Sequence, residues 1–393
     1  MDYYKLCLDH LNKIADEKRD ADLFIRNMAN GCKVAVNSCE KVVFCGAMSY
    51  IKGFADYLSD TKECYFFDNC ESEGMFLGYP YVSVTDIKYK FGSDTLFIVL
   101  SRSNVEFYNF VIGTLLPDAK KLYYAGIEMA YKDLFYIKSR EDYSVDGSVA
   151  ALRYIVDHAK ELIGILERFS DDRSRDIFSR MILFRLTGNL DLNCNIKSLY
   201  DDYLEEDIIL FQKHEIVADL GGFIGDTLVE FDSYFKKHGI KYEYHLFEPS
   251  KENYLIAKEL FDNKKVIFYN ACVGDKDQMV GLKSDFGNTV TIDMDAGAFH
   301  GTKMVKLDDV LDEVTYIKMD IEGTEELALR GMEGLVKRCH PKLAVCIYHK
   351  YDDIVRLVEY IMELTEDAHY RYYVRAQRDS VVTEMVLYAL PTL

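Results

Sequence analysis

Residues 215–227, EIVADLGGFIGDT, constrain the fold more than any other stretch. Ile216, Val217 and Ala218 form a short apolar run of the kind that makes a buried strand, and three glycines follow within seven residues. Such a run predicts a strand that turns sharply into a helix. Asp219 then stands at the strand's carboxyl end, while Gly221, Gly222 and Gly225 let the backbone approach a ligand in the crevice where open α/β sheets bind. The expected fold class is α/β with a doubly wound sheet.

The chain of 393 residues is long for one core and predicts two domains with connecting helices. A formal charge of −19 speaks against a nucleic-acid or anionic-membrane surface, because phosphates are held by clustered Lys and Arg. Small-molecule chemistry is the expectation. The ten cysteines are scattered and include no C-x-x-C pair, which fits reduced thiols better than a disulfide framework. With no apolar run of membrane-spanning length, the expected location is the cytoplasm.

Tyr4, Leu8, Leu11 and Ile14 recur at helical spacing, so the first roughly 25 residues read as an amphipathic helix. KVVFCG (41–46), CYFFD (64–68) and TLFIVL (95–100) alternate with helical segments as βαβ units do. The boundaries expected are a helical segment over 1–40, a Rossmann-like domain over 41–145, a helical connector over 146–210 and a second α/β domain over 211–393. In this last part the strand candidates are 215–219, 243–247, 265–269, 315–319 and 342–348. QMVGL, NTVTIDM and KMVKL, within 279–306, add short extra strands instead of a helix, and 370–375 and 383–390 read as a terminal antiparallel hairpin.

Four constellations carry chemistry. Glu248, at the end of the second strand in HLFEP, is placed to accept both hydroxyl protons of a ribose. The stretch IKMDIEGTEELALRG (317–331) gathers Asp320, Glu322 and Glu325 at a strand end, which is costly unless a sulfonium, a metal or a substrate hydroxyl sits among them. Glu325 and Glu326 also have a plainer reading as first-turn acids of a helix. His349 faces the same crevice as a proton acceptor or as a structural histidine. The last constellation is the turn Gly46–Gly53, which keeps only the first glycine of G-x-G-x-x-G and has Met48 and Ile51 in the other two places, so packing is its favoured role. No metal is assigned.

The loop DLGGFIGDT (219–227), the segment KMDIEGTE (318–325) and VKLDD (305–309) resemble, in order, motifs of the FkbM family of S-adenosylmethionine-dependent methyltransferases. The resemblance covers roughly the carboxyl half and extends to the connector of two-domain relatives. It implies a class I methyltransferase sheet, with Asp219, Gly221 and Gly225 around the methionine part of S-adenosylmethionine, Glu248 on its ribose, and Gly222 and Asp226 also among the cofactor-binding residues. Asn270 is then expected near the adenine, and Asp320, Glu322 and His349 at the reacting hydroxyl. An O-methyltransferase acting on a saccharide or natural-product hydroxyl follows as the expected function. The partner expected is a small-molecule or saccharide acceptor, and a homo-oligomer stays open. Two other classes stand beside it, a nicotinamide-dependent oxidoreductase and a non-catalytic scaffold of a glycan pathway.

Overall fold

The computed structural model describes residues 2–16, 21–46, 51–68, 74–100, 119–123, 149–187, 190–193, 195–261, 265–284, 290–293, 301–381 and 383–392. It divides into two compact units, one of residues 1–166, 176–196 and 379–383, the other of 167–175, 197–378 and 384–393.

In the first unit, strands β1 (Lys41–Cys45) and β2 (Glu63–Phe67) belong to a sheet whose further members follow two short strands, β3 (Met75–Phe76) and β4 (Tyr79–Pro80). With β5 (Thr95–Val99) and β6 (Lys120–Tyr123) it is parallel throughout, in the order β2-β1-β5-β6. The amino-terminal helical reading resolves into two helices, Tyr3–Asp16 and Ala21–Asn37. Val42, Phe44, Phe54, Phe66, Leu96 and Ile98 form the core. Met48 lies outside the described residues, whereas Ile51 is fully buried in that core, so apolar packing occupies a position where a phosphate cradle has glycine.

The second unit is built on seven strands. They are β7 (His214–Leu220), β8 (Lys241–Phe247), β9 (Val266–Tyr269), β14 (Tyr316–Met319), β15 (Lys342–Cys346), β16 (Tyr370–Ala376) and β17 (Met385–Pro391), while β10 (Ala271–Val273), β11 (Gln278–Ser284), β12 (Val290–Asp293) and β13 (Gly301–Val305) form a smaller sheet. The large sheet runs β16-β17-β15-β14-β7-β8-β9, with β17 antiparallel to both its neighbours and the rest parallel. The chain leaves β7 for β8 and β9 on one side and returns to β14 and β15 on the other. This reversal places a ligand crevice at the carboxyl ends of β7 and β14. The extra strands expected within 279–306 are β11 to β13, with residues 285–289 and 294–300 outside the described set.

Packing beneath the crevice is aromatic. Phe211, Phe231, Phe235, Tyr244 and Tyr316 form a set of ring contacts, with centroids 5.4 Å apart for Phe231 and Tyr316, under β7 and the helix Asp226–His238. Among the described residues no helix is long and apolar enough to cross a membrane.

Candidate active site

The strand ends meet at a cavity of about 360 Å³, within the range of small-molecule sites. Gly221, Glu248, Asp320 and Tyr348, which follow the ends of β7, β8, β14 and β15, line it together with Asp226 and Glu322. Ala271, Cys272, Val273 and Ile292 of the smaller sheet supply an apolar wall. Three of these belong to β10, and of the extra strands β12 contributes Ile292.

Four non-glycine residues with positive φ are in its lining: Tyr203 (64°), Phe223 (46°), Glu322 (56°) and Glu384 (60°). Left-handed backbone at such residues costs on the order of 1–3 kcal/mol each and gathers at ligand sites. Here it turns side chains of four separate segments toward one space.

Asp219 does not line the cavity. It is fully buried, paired to Lys318 Nζ at 3.0 Å and accepting a hydrogen bond from the Tyr244 hydroxyl at 2.8 Å. Lys318 also donates to the Gly221 carbonyl at 2.7 Å. Burial opposes the lysine's charge, but Asp219 and Asp320 raise its pKa above the ordinary value. The pair lies in register across β7 and β14 and fastens the floor of the crevice.

The glycines have packing reasons too. A Cβ on Gly221 (φ 84°) would lie 1.9 Å from the Asp320 carbonyl oxygen, and one on Gly222 would lie 2.3 Å from Leu246. Gly225 (φ 88°) is the left-handed residue that starts the helix Asp226–His238. Gly222 and Gly225 support the loop from below, and of the three only Gly221 reaches the cavity. Gly221→Ala is expected to lower unfolding free energy by at least about 2 kcal/mol in a urea titration, since left-handed strain and a backbone clash coincide.

Glu248 follows β8 and lines the cavity. One carboxylate oxygen accepts from the Phe223 amide at 3.0 Å and the other from the Ser250 amide at 2.7 Å, and burial pushes its pKa up to about 7. Asn270 departs from expectation. Its amide donates to the carbonyls of Glu248 and Pro249, at 3.0 and 3.1 Å, so it ties that turn and stays outside the lining.

Asp320 is the hub of the far side. Its Oδ2 accepts from the Tyr203 hydroxyl at 3.0 Å, and its Oδ1 lies 3.3 Å from His349 Nε2. His349 sits behind it, buried, with Nδ1 2.9 Å from Glu325 and Nε2 3.7 Å from Glu322. Burial disfavours the imidazolium, yet Glu325 and Asp320 raise the His349 pKa well above its ordinary value. Burial likewise works to raise Asp320, and His349, Lys318 and Tyr203 outweigh it and hold the carboxyl well below the usual range. A carboxylate beside an imidazolium is the state at neutral pH. Glu325, buried at the start of the helix Glu325–Arg330, also accepts from the Ile321 and Gly323 amides, whereas Glu326 pairs with Arg330 and Arg356. The plainer reading holds for Glu326 but misses the part Glu325 plays behind the cavity.

Seven carboxyl groups line the cavity against the cations Lys318 and Arg378. Three of the seven, Asp202, Glu230 and Glu384, are absent from the sequence expectations, as is Gln377. Each lies in a segment without a recognisable motif. Among the described residues no group of three or more His, Cys, Asp and Glu side chains is placed to hold a metal ion.

The order of the large sheet, with its reversed last pair and crevice between β7 and β14, defines a class I methyltransferase fold. Residues 219–372 match the family model described as the Methyltransferase FkbM domain. Among solved structures, methyltransferase FkbM from Methylobacillus flagellatus KT shares the fold, with a TM-score of 0.69 and 21% identity over 98% of this chain and 100% of that one. A putative caffeoyl-CoA O-methyltransferase from Staphylococcus aureus matches at a TM-score of 0.28 and 10% identity, over 45% of this chain and 76% of the other. A SAM-dependent methyltransferase from Aquifex aeolicus matches at 0.26 and 16%, over 48% and 87%. No curated protein matches the chain.

Proposed function

We propose that this protein is an S-adenosylmethionine-dependent O-methyltransferase acting on a hydroxyl of a saccharide or related natural product. The observation that carries the reading is the cavity itself: a carboxylate at the end of β8, an apolar wall, and an ionised carboxylate at the end of β14, all at the reversal of a methyltransferase sheet. The residues fit the cofactor. Glu248 presents two anchored oxygens suited to ribose hydroxyls, Phe247 and Val273 offer an apolar slot for a base, and the excess of acids suits a sulfonium and an ammonium. When bound, the cofactor supplies the methyl group. Asp320 then orients the acceptor hydroxyl and receives its proton, Glu322 helps align the acceptor, and His349 holds Asp320 ionised and in place. Eight free cysteines among the described residues suit a reducing compartment such as the cytoplasm.

Native mass spectrometry of the purified protein tests the cofactor. Retained S-adenosylmethionine or S-adenosylhomocysteine supports it, and bound NAD overturns it. A pH titration adds a quantitative check. Glu248 is protonated below its pKa of about 7 and must be ionised to accept two hydroxyl protons. S-adenosylhomocysteine affinity should therefore rise with pH, gaining about tenfold per unit below 7 and levelling above it. Glu248→Gln should remove most of that slope in isothermal titration calorimetry, and an unchanged slope would take Glu248 off the ribose.

A further inference from the structure

Gln377 is 1% exposed and lines the cavity, yet its Nε2 has no hydrogen-bond partner. A buried amide donor left unmet carries its full desolvation cost, so native proteins rarely leave one open without a ligand or water to complete it. The residue is firmly placed. Its backbone N–H donates to the Glu384 carbonyl at 2.9 Å, one rung beyond the β16–β17 ladder, and its own carbonyl accepts from Arg378 Nη1 at 2.8 Å. The strand pair thus holds Gln377 and Glu384 at one end of the cavity.

The other groups at that end are acids and one neutralised cation. Arg378 Nη1 pairs with Asp202 Oδ1 at 2.9 Å. Glu230, from the helix Asp226–His238, is raised to about 7 by burial and by Asp202, Asp201 and Asp226. Burial and the nearby Asp320 raise Glu384 as well. With Arg378 engaged by Asp202, the uncompensated charge is negative. A phosphate or carboxylate entering here would meet like charges in a confined space, whereas hydroxyls find acceptors in the carboxylates and a donor in Gln377. An ammonium would relieve the repulsion directly.

We propose that this end of the cavity, between Gln377, Glu384, Glu230 and the Asp202–Arg378 pair, is the acceptor subsite, and that its acceptor is a hydroxyl-rich molecule bearing an amine and no phosphate or carboxylate. The assignment rests on the methyl-transfer reading, and names the substrate class for it. Gln377 takes a ring or hydroxyl oxygen of the acceptor, and the Glu384 and Glu230 carboxylates take its ammonium.

The test uses the full chain with S-adenosylhomocysteine and three sugar probes: methyl glucosaminide, methyl glucoside and glucose 6-phosphate, followed by ligand-observed NMR at millimolar concentration. The amine probe should bind about tenfold more tightly than the neutral one, and the phosphate should not bind. Gln377→Leu should weaken both binding sugars about tenfold while S-adenosylhomocysteine affinity stays within about twofold, and Glu384→Gln should weaken the amine probe alone. An unfolding midpoint like that of the unaltered chain confirms that each variant folds. Tighter binding of the phosphate, no binding of the amine probe, or a Gln377→Leu defect confined to S-adenosylhomocysteine would overturn the subsite. Should S-adenosylhomocysteine itself fail to bind, the methyl-transfer reading falls, and the sugar probes on the ligand-free chain still decide the subsite.

Discussion

Lys318→Met is expected to lower the unfolding free energy of the chain by about 3–5 kcal/mol, the range seen when one partner of a buried ion pair is removed. Lys318 and Asp219 are 3% and 0% exposed in their side chains and face each other in register on β14 and β7. Without the ammonium, the Asp219 carboxylate keeps only the Tyr244 hydroxyl, and the Gly221 carbonyl loses its donor at 2.7 Å. The lysine also lies 5.3 Å from the centre of the Tyr203 ring, a cation–π contact that Met cannot replace. Lys318→Met combined with Asp219→Leu should recover more than half of the loss, because replacing both charges by apolar groups avoids the stranded carboxylate. Urea unfolding of the two variants decides it. A loss below about 1 kcal/mol in the single variant would mean that water reaches Asp219 and that the pair does not fasten the floor. The loop over Lys318 should loosen in the same variant, so S-adenosylhomocysteine affinity should fall along with stability.

That pair marks where sequence reading stops. The seven strands of the large sheet were legible because apolar runs of strand length alternate with helical periods, and the two last strands lack a crossover helix between them. β11, β12 and β13 were legible for the complementary reason, that no helical period runs through their residues. Register was not legible. Asp219 at a strand end has the look of a ligand-facing acid, and only its position opposite Lys318 shows that the protein itself answers the charge. The same limit applies to Asn270, whose amide is taken up by two carbonyls of a neighbouring turn. Glu248, Asp320 and Glu322 were found because they follow strands at a topological reversal, a rule that needs no side-chain geometry. Asp202, Glu230, Gln377 and Glu384 obey no such rule. They reach the cavity from a loop, a helix and the turn region of the terminal hairpin, and Tyr203 and Glu384 do so through positive φ values that neither residue type announces.

Asp320→Asn should have the largest catalytic effect, a fall in turnover on the order of 10²- to 10⁴-fold, the range for a positioned proton acceptor. Its carboxyl is held well below the usual pKa, which makes it a weak base toward a resting alcohol. A weak base suffices when the proton leaves late, because a hydroxyl becomes strongly acidic as its oxygen acquires the methyl group. The anion is needed earlier for alignment: it accepts the hydroxyl's hydrogen bond while Tyr203 fixes the other oxygen at 3.0 Å. Asparagine keeps the shape and loses the charge. His349 is predicted to follow a separate course. Its imidazolium depends on Glu325 and Asp320 together, so Asp320→Asn should lower the ring's pKa in an NMR titration even without an acceptor present. Turnover of the unaltered protein should show no step from His349 between pH 6 and 8, values about which an ordinary histidine titrates. His349→Ala should reduce turnover less than Asp320→Asn does, by about tenfold, through a misplaced Asp320. If both variants leave S-adenosylhomocysteine release intact while the cofactor still binds, the proton leaves by another route, and Glu384 at the acceptor end becomes the group to test.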